Sequence, residues 1–311
     1  MIEFRYTNPP DDFFHEEIRS GHLVTTQIKT LWAIEMDLLQ AYMNVCQEAG
    51  LHFWIEGGTL LGCARHGGFI PWDDDIDICM TRKDYDKFVE LGLAGVFPEP
   101  LFFQSYHNQP MMGKLFSRLR LSGTTMITTT RSTRYPELCH NGVFIDIFPM
   151  DAIKGDNDQE FKDNHYMRIG RYKMLIEKEW VESGKNIGPA QLSRLLERAH
   201  QIENIMLKYK NAPDTKNIAT LATTMNYSRT RRVLADVLDT EWVPFEYIQV
   251  PRPKNYRPML DLQYPDWETV YAKTGKRHSL VLLDLENDSI IYKGRWDEEL
   301  ERPKIGRPNI Y

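Results

Sequence analysis

Four aspartates within five residues form the strongest chemical signal in the sequence. The segment reads Ile70-Pro-Trp-Asp-Asp-Asp-Ile-Asp-Ile78, so Asp73, Asp74, Asp75 and Asp77 lie between apolar neighbours. Carboxylates this close together raise one another's pKa, and a bound cation removes that electrostatic penalty. On a β-strand, Asp75 and Asp77 would project from the same face and could share hard divalent cations. The pattern therefore favours metal-assisted chemistry.

Three other interpretations of this acidic cluster compete. A solvated acidic turn is disfavoured by Ile76 and Ile78, which indicate a half-buried segment. A calcium loop of the EF-hand type needs glycine at its sixth position, where this sequence has Ile78. Charges that keep an edge strand from pairing with another chain remain a third alternative.

A glycine-rich turn, Glu56-Gly-Gly-Thr-Leu-Leu-Gly62, lies a short distance upstream of the cluster. It follows a predicted strand and begins a predicted helix, a geometry that presents backbone N–H groups to an anion. It is not a P-loop, because Cys63-Ala64 stand where that motif requires lysine and serine or threonine. A simple tight turn is the alternative, and the nearby aspartates favour the anion site.

Asp146 is a further candidate, because it stands alone in the apolar segment Gly142-Val-Phe-Ile-Asp-Ile-Phe-Pro149. A buried aspartate is costly unless it is paired or binds a metal. A structural aspartate held by hydrogen bonds is one interpretation. With two metal-binding carboxylates already proposed, we favour a third acidic ligand.

The stretch from Pro100 to Pro136 contains no aspartate or glutamate. A basic surface beside an acidic metal site would suit a phosphate or diphosphate substrate. A chance run of basic residues on a solvated face is an equally good explanation. The basic residues of this stretch are His107, Lys114, Arg118, Arg120, Arg131 and Arg134.

The elements that must position these residues follow from hydrophobic periodicity. Apolar residues at three- and four-residue steps predict a helix over Thr25–Ala49. The glycine turn comes between a strand at His52–Ile55 and a short helix at Thr59–Arg65. The acidic cluster leads into a strand at Ile76–Met80, and a helix at Lys83–Leu93 follows.

The rest of the chain continues this mixture, which predicts a mixed α/β or α+β core. Further strands are predicted over Leu101–Tyr106, Lys114–Leu121 and Val143–Phe148, and helices over 156–183 and 190–210. The predicted divisions are an N-terminal arm (1–24) that is irregular over 1–22, a catalytic core (25–155), a helical and mixed extension (156–295) and a polar tail (296–311).

Composition excludes several classes of protein. The 311 residues are 42% apolar and 26% charged, which is typical of a globular chain rather than a disordered one. With 38 basic and 44 acidic residues the net charge is −6, which argues against a nucleic-acid partner bound by bulk charge. No signal peptide or transmembrane segment is recognisable. We expect a cytoplasmic protein, and a peripheral position at the inner face of the membrane remains open.

Residues 56–78 closely resemble the signature of the LicD family, which includes bacterial phosphocholine transferases, fukutin and fukutin-related protein. The family belongs to the nucleotidyltransferase-fold superfamily. The resemblance therefore implies an α+β fold, with a nucleotidyltransferase-like mixed sheet flanked by helices and a helical C-terminal extension. Further segments that resemble the family are 82–88, 143–151, 243–246, 250–251 and 260–267.

The resemblance also implies roles for individual residues. It assigns Gly58 and Thr59 to the substrate-binding turn, and Asp75, Asp77 and Asp146 to catalysis and to binding Mg²⁺ or Mn²⁺. Asp146 would also orient or deprotonate the attacking hydroxyl. Additional candidates to hold phosphate oxygens of the substrate are Arg65, Lys114 and Arg118.

Members of the family use a CDP-activated alcohol, such as CDP-choline or CDP-ribitol, as donor. The resemblance implies transfer of the phosphoalcohol to a sugar hydroxyl of a cell-surface glycan or a lipid-linked saccharide precursor, with release of CMP. A nucleotidyltransferase that releases pyrophosphate and a non-catalytic nucleotide-binding module are the alternatives. The sequence departs from the family at Tyr264-Pro-Asp-Trp267 and at Lys273–His278, so the acceptor or the alcohol could differ from the choline type.

Overall fold

The structure is a computed structural model, and it describes residues 3–128, 138–154, 159–184, 186–210, 212, 214–223, 228–270 and 280–292. Several sequence-based predictions lie outside these residues. They concern Arg131, Arg134, the segment Lys273–His278 and the polar tail 296–311.

Helices and short strands alternate along the chain. The helices are α1 (Thr26–Glu48), α2 (Gly57–His66), α3 (Arg82–Leu93), α4 (Gln159–Glu182), α5 (Pro189–Met206), α6 (Leu234–Leu238) and α7 (Arg257–Gln263). The strands are β1 (Glu17–Arg19), β2 (His22–Val24), β3 (Phe53–Ile55), β4 (Asp77–Thr81), β5 (Leu101–Gln104), β6 (Ser117–Leu121), β7 (Thr125–Thr128), β8 (Phe144–Ile153), β9 (Asn217–Thr220), β10 (Arg232–Val233), β11 (Thr240–Phe245), β12 (Ile248–Pro253) and β13 (Leu280–Asp284).

The long strand β8 organises a mixed sheet of seven strands. On one side, β8 runs parallel to β4, and β3 pairs antiparallel with the outer side of β4. On its other side, β8 pairs first with β6 and then with β9, both antiparallel. Strand β5 pairs antiparallel with β6, and β10 pairs antiparallel with β9. Most side chains of β8 are buried, as expected for a strand covered on both faces.

Helix α1 packs against β6 and β8. The side chain of Thr25 caps its N-terminus by accepting a hydrogen bond from the backbone N–H of Ile28. Most of its residues are buried, and Trp32 is fully buried and stacks on Phe69 with 4.6 Å between ring centroids. This helix therefore forms a large part of the hydrophobic core directly beside the acidic cluster. A second apolar cluster lies between α4 and α5.

The predicted α+β class, with a mixed sheet flanked by helices, is confirmed. The acidic strand begins at Asp77, one residue later than predicted. Asp75 lies two residues before it, so the expectation that Asp75 and Asp77 project from the same face of one strand is wrong. Among the helices described, none combines the length and the apolar character needed to cross a membrane. The division of the chain into arm, core, extension and tail stays a prediction.

The prediction of an irregular N-terminal arm is wrong for residues 17–24. Strands β1 and β2 form a hairpin there, and Ile18 is paired with Leu23. Two ion pairs fix the hairpin to the rest of the fold. Arg19 donates two hydrogen bonds to Glu246, and Lys29 of α1 contacts the Glu17 carboxylate at 2.5 Å. Arg19 and Glu246 are distant in sequence, and Glu17 and Lys29 lie in different elements, so local periodicity could not reveal these pairs.

Candidate active site

Strands β4 and β8 bring two of the predicted acidic residues together. Asp77 and Asp146 are directly opposite each other in the register of this parallel pair. Neighbouring strands lie about 4.8 Å apart, and residues in register project from the same face of the sheet. Asp146 is buried and Asp77 is half-buried. The sheet therefore creates a concentrated negative charge where β4 begins.

The aspartates before β4 form a compact group of oxygen donors. One carboxylate oxygen from each of Asp73, Asp74 and Asp75 lies within 4.8 Å of the others. Trp32 of α1 fixes the backbone here, because its indole N–H donates to the carbonyl oxygen of Asp73 at 3.0 Å. The structure thus adds Asp73 and Asp74 to Asp75 as residues that could hold a cation.

The glycine turn lies against these carboxylates. A Cβ atom on Gly57 would come within 2.7 Å of Oδ2 of Asp77, and one on Gly58 within 2.6 Å of Oδ2 of Asp73. Gly57 also has φ of +58°, a conformation that glycine adopts at little cost. Thr59 accepts a hydrogen bond from the backbone N–H of Asp77 at 2.8 Å, which fixes the start of β4. Gly58 and Thr59 are therefore next to the acidic residues.

The sequence analysis did not identify the buried ion pair between Glu56 and Arg232, which lies next to the glycine turn. Glu56, directly before Gly57, accepts hydrogen bonds from the guanidinium of Arg232, the shortest of which is 2.5 Å. Both residues are buried, and Trp54 donates a further hydrogen bond to Glu56. The pair joins the turn to a residue far along the chain, for which the sequence offers no local signal.

Arg118 is close to the acidic centre and is bound to Asp146. Its guanidinium donates to both Asp146 oxygens, at 2.5 and 3.2 Å, and lies 3.6 Å from the ring centroid of Phe144. Asp146 is therefore held by hydrogen bonds, as in the interpretation of this residue as a structural aspartate. A carboxylate has about four lone-pair directions, so this pairing leaves Asp146 able to accept further contacts.

Lys114 lies close enough to Arg118 and Asp146 for their charges to affect its pKa. Its ammonium is 4.9 Å from the ring centroid of Phe116. The pKa of Lys114 is lowered to about 7, chiefly by burial and next by the positive charge of Arg118, while the negative charge of Asp146 opposes both. Arg120 instead binds Gln104 and the carbonyl of Gly142.

Arg65 has a different environment. Its Nη1 donates to the backbone carbonyls of Trp267 and Thr269, at 2.9 and 3.4 Å, and its Nε to the ring of His66. These contacts connect the end of α2 to the segment after α7. They give Arg65 a structural role that the sequence did not reveal.

Glu35 of α1 is a further acidic residue that the sequence analysis did not identify. It is completely buried, and neither carboxylate oxygen has a hydrogen-bond partner within the described part of the chain. Burial raises the pKa of Glu35 well above its usual range, and the charges of Asp75, Asp74 and Asp73 raise it further. A glutamate inside the apolar run Trp32-Ala-Ile-Glu-Met36 was the available signal.

Comparison with known proteins finds a domain family that matches residues 50–191, described as the LicD/FKTN/FKRP nucleotidyltransferase domain. The lipopolysaccharide cholinephosphotransferase LicD of Haemophilus influenzae is 43% identical over 130 residues, which is 39% of this chain and 43% of that protein. The human ribitol 5-phosphate transferase FKRP is 50% identical over 49 residues, 16% of this chain and 10% of that protein. The mouse ribitol-5-phosphate transferase FKTN is 36% identical over 62 residues, 18% of this chain and 13% of that protein.

The similarity is concentrated in part of each relative. The matched region spans less than half the length of each of these three proteins. The family match contains the glycine turn, the acidic cluster, β4 and β8. Helix α1, and with it Glu35, precedes the match.

Proposed function

We propose that this chain, whose residues 50–191 belong to the LicD/FKTN/FKRP nucleotidyltransferase domain family, transfers a phosphoalcohol from a CDP-activated donor to a sugar hydroxyl and releases CMP. The observation that carries the proposal is the pairing of Asp77 with Asp146 beside the Gly57-Gly58-Thr59 turn. The names of the similar proteins support this class of reaction, since they are a cholinephosphotransferase and ribitol phosphate transferases.

The residues of the acidic centre fit a hard divalent cation such as Mg²⁺ or Mn²⁺. The Asp73, Asp74 and Asp75 oxygens within 4.8 Å of one another are donors that these ions prefer. These three residues, together with Asp77 and Asp146, would hold the ion. When bound, it would neutralise charge on the donor diphosphate and on the leaving CMP.

The chain itself would bind and orient the two substrates. The backbone N–H groups at the start of α2 and the ammonium of Lys114 would contact phosphate oxygens of the donor. Asp146 would accept a hydrogen bond from the attacking sugar hydroxyl and take its proton. Arg118 would hold Asp146 in position through its two hydrogen bonds.

The donor and acceptor are proposed by chemical class. The donor is a CDP-alcohol, with choline, ethanolamine, glycerol and ribitol as candidate alcohols. The acceptor is a saccharide of a cell-surface glycan or its lipid-linked precursor. A lipid-linked acceptor would need only peripheral contact with the membrane.

The proposal is tested by measuring CMP release from a panel of CDP-alcohols with saccharide acceptors, in Mg²⁺ and in EDTA. Donor-selective release that is lost in EDTA and in the Asp75→Ala/Asp77→Ala variant is the expected result. Pyrophosphate release from CTP instead of CMP release would favour an ordinary nucleotidyltransferase. Nucleotide binding by calorimetry without release of either product would favour a non-catalytic module.

A further inference from the structure

The segment that follows α7 lies alongside α2, the helix that begins at the glycine turn. Helix α7 packs against α2, and Arg65 near the end of α2 donates a hydrogen bond to the backbone carbonyl of Trp267. At the other end of α2, the side chain of Gln263 is connected through a shared partner to Glu56, the residue that caps this helix. Tyr264, which follows Gln263, therefore lies at the end of the segment nearer to the glycine turn.

A continuous chain of hydrogen bonds leads from the turn to the hydroxyl of Tyr264. Glu56 accepts a hydrogen bond from the backbone N–H of Gly57 at 3.2 Å. Nη2 of Arg232 donates both to Oε1 of Glu56 and to Oε1 of Gln263, at 2.5 Å each. Nε2 of Gln263 donates in turn to the hydroxyl oxygen of Tyr264 at 3.1 Å. Because Glu56 and Arg232 are buried, this chain fixes the hydroxyl relative to the turn.

The direction of each hydrogen bond in this chain is set by Arg232. A guanidinium can only donate, so the amide oxygen of Gln263 faces Arg232 and the amide NH₂ faces Tyr264. The Tyr264 hydroxyl thus accepts from Gln263 and retains its own proton for donation. Within the ranges that the structure describes, no residue accepts that proton. Tyr172, by contrast, donates its hydroxyl proton inside the chain, to the carbonyl of Pro110 at 2.7 Å.

The surroundings of the Tyr264 hydroxyl keep it protonated. Its pKa is raised above the usual range, chiefly by burial and next by the negative charges of Asp77 and Asp73. The hydroxyl is therefore a neutral hydrogen-bond donor at the end of α2 where backbone N–H groups are proposed to contact the phosphates of the substrate. Phosphate oxygens are strong acceptors, so they are the ligand atoms that suit this donor.

We propose that Tyr264 is a further substrate-binding residue, whose hydroxyl donates a hydrogen bond to a phosphate oxygen of the CDP-alcohol at the glycine turn. Gln263 is the positioning residue for this hydroxyl, and Arg232 fixes the orientation of the Gln263 amide. The inference rests on the proposed function and deepens it. It assigns part of the diphosphate site to the end of α7, outside the matched residues 50–191.

The test measures binding of CDP, which all the candidate CDP-alcohols contain, by calorimetry in MgCl₂ without a saccharide acceptor. Tyr264→Phe removes only the hydroxyl, and we expect it to weaken CDP binding about 10- to 100-fold, because a hydrogen bond to a charged group is lost. Tyr256→Phe is the matched control. Tyr256 is half-buried at the start of α7 and its ring packs on Trp267, so this variant should retain the wild-type CDP affinity.

The positioning role of Gln263 is tested by Gln263→Met, which has a side chain of similar length but cannot donate to Tyr264. Because Gln263 acts through the hydroxyl, the double variant Gln263→Met/Tyr264→Phe should bind CDP only as weakly as the weaker-binding single variant. Gln263→Met should also unfold at a lower temperature, since Arg232 loses a hydrogen bond. Tyr264→Phe should unfold close to the wild-type temperature, so its loss of CDP affinity separates substrate binding from a purely structural role.

Three results would overturn the inference: unchanged CDP affinity in Tyr264→Phe, an equal loss of affinity in Tyr256→Phe, or no CDP binding by the wild-type chain. Additive losses in the double variant would remove the positioning role of Gln263.

The proposed function fails separately. Weakened CDP binding in Tyr264→Phe would support the role of Tyr264 even if the wild-type chain releases no CMP. EDTA-sensitive CMP release together with unchanged CDP affinity in Tyr264→Phe would remove the role of Tyr264 and retain the function.

Discussion

Asp77 and Asp146 are paired in register on the two parallel strands β4 and β8, although they lie far apart in the sequence. Parallel pairing places both carboxylates on one face of the sheet, where their charges repel. The glycine turn comes within contact distance of Asp77, and Arg118 binds Asp146. The sheet therefore holds two like charges together while different elements support each one, an arrangement suited to binding a cation.

The close approach of Gly57 to Asp77 leads to a first prediction. Gly57→Ala should reduce CMP release about 100-fold, because the new methyl group displaces the Asp77 carboxylate from its position. The positive φ of this residue should also cost about 1–2 kcal/mol of unfolding free energy. Both effects are measured by CMP release and by urea denaturation.

Gly50→Ala is the matched control for this prediction. Gly50 has a similar φ of +65°, but no atom lies within 4 Å of the position of a new Cβ. The control should therefore lose a similar unfolding free energy and keep its CMP release. Equal activity of the two variants would contradict the proposed position of Asp77 in the site.

The bidentate contact between Arg118 and Asp146 leads to a second prediction. Both side chains are buried, so Arg118→Met or Asp146→Leu alone should lower the unfolding free energy by about 3–5 kcal/mol, because each leaves a buried charge without its partner. The double variant Arg118→Met/Asp146→Leu should lose much less than the sum of the single changes. Urea denaturation of the complete double-mutant cycle measures this coupling.

The exposed pair of Lys87 and Glu90 provides the reference cycle. Its atoms are 3.0 Å apart, but both side chains are mostly exposed. We expect a coupling of about 0.3–0.5 kcal/mol there. An equally small coupling between Arg118 and Asp146 would show that the buried contact is not an important stabilising interaction.

The local parts of this fold could be predicted from sequence. Helix α1 has a regular apolar periodicity over many turns, and strand β4 was placed within one residue of its observed start. The glycine turn and the aspartates could be recognised because each motif lies in one short segment. The hairpin β1–β2 could not, because its strands have three residues each and depend on Glu246 far along the chain.

Long-range partners explain what the sequence could not provide. The contact of Arg118 with Asp146 depends on the antiparallel register of β6 and β8. The different environments of Lys114 and Arg65 depend on how distant segments pack around them. Glu35 is hidden for the same reason, since the face of α1 that meets the acidic cluster is set by the packing of α1 on the sheet.

The different environments of Lys114 and Arg65 lead to a third prediction. Lys114→Met should lower kcat/KM for the CDP-alcohol about 10-fold or more, because a charged contact to phosphate is lost. The unfolding free energy of this variant should not fall, since it no longer buries a charged ammonium. The cost of that burial is reflected in the lowered Lys114 pKa of about 7. Steady-state kinetics and urea denaturation provide the two measurements.

Arg65→Met should have the opposite profile. Loss of the hydrogen bonds to Trp267 and Thr269 should lower the unfolding free energy by about 1–3 kcal/mol. Its kcat/KM should stay close to the wild-type value. A larger kinetic effect in Arg65→Met than in Lys114→Met would reverse the assignment of the phosphate-binding residue.

The environment of His140 leads to a fourth prediction, a loss of stability at mildly acidic pH. Nδ1 of His140 accepts a hydrogen bond from the backbone N–H of Gly142 at 3.2 Å, and the ring stacks on Phe102. A protonated imidazole cannot accept that hydrogen bond. The pKa of His140 is lowered to about 4, chiefly by burial and next by the positive charge of Arg120.

Because the pKa in the folded state is below the unfolded value of about 6.5, the unfolded chain binds more protons between pH 6.5 and 4. The unfolding free energy should therefore fall as the pH falls through this window, by about 1–2 kcal/mol from His140 after allowance for its partial exposure. Urea denaturation at pH 7, 6 and 5 measures the slope. His140→Gln should reduce this slope of unfolding free energy against pH, whereas substitution of the exposed His15 by Gln should leave it unchanged. Part of the slope should remain in His140→Gln, because the pKa of His66 is also lowered to about 4, chiefly by burial. The same slope in His140→Gln as in the wild type would show that His140 does not set this pH dependence.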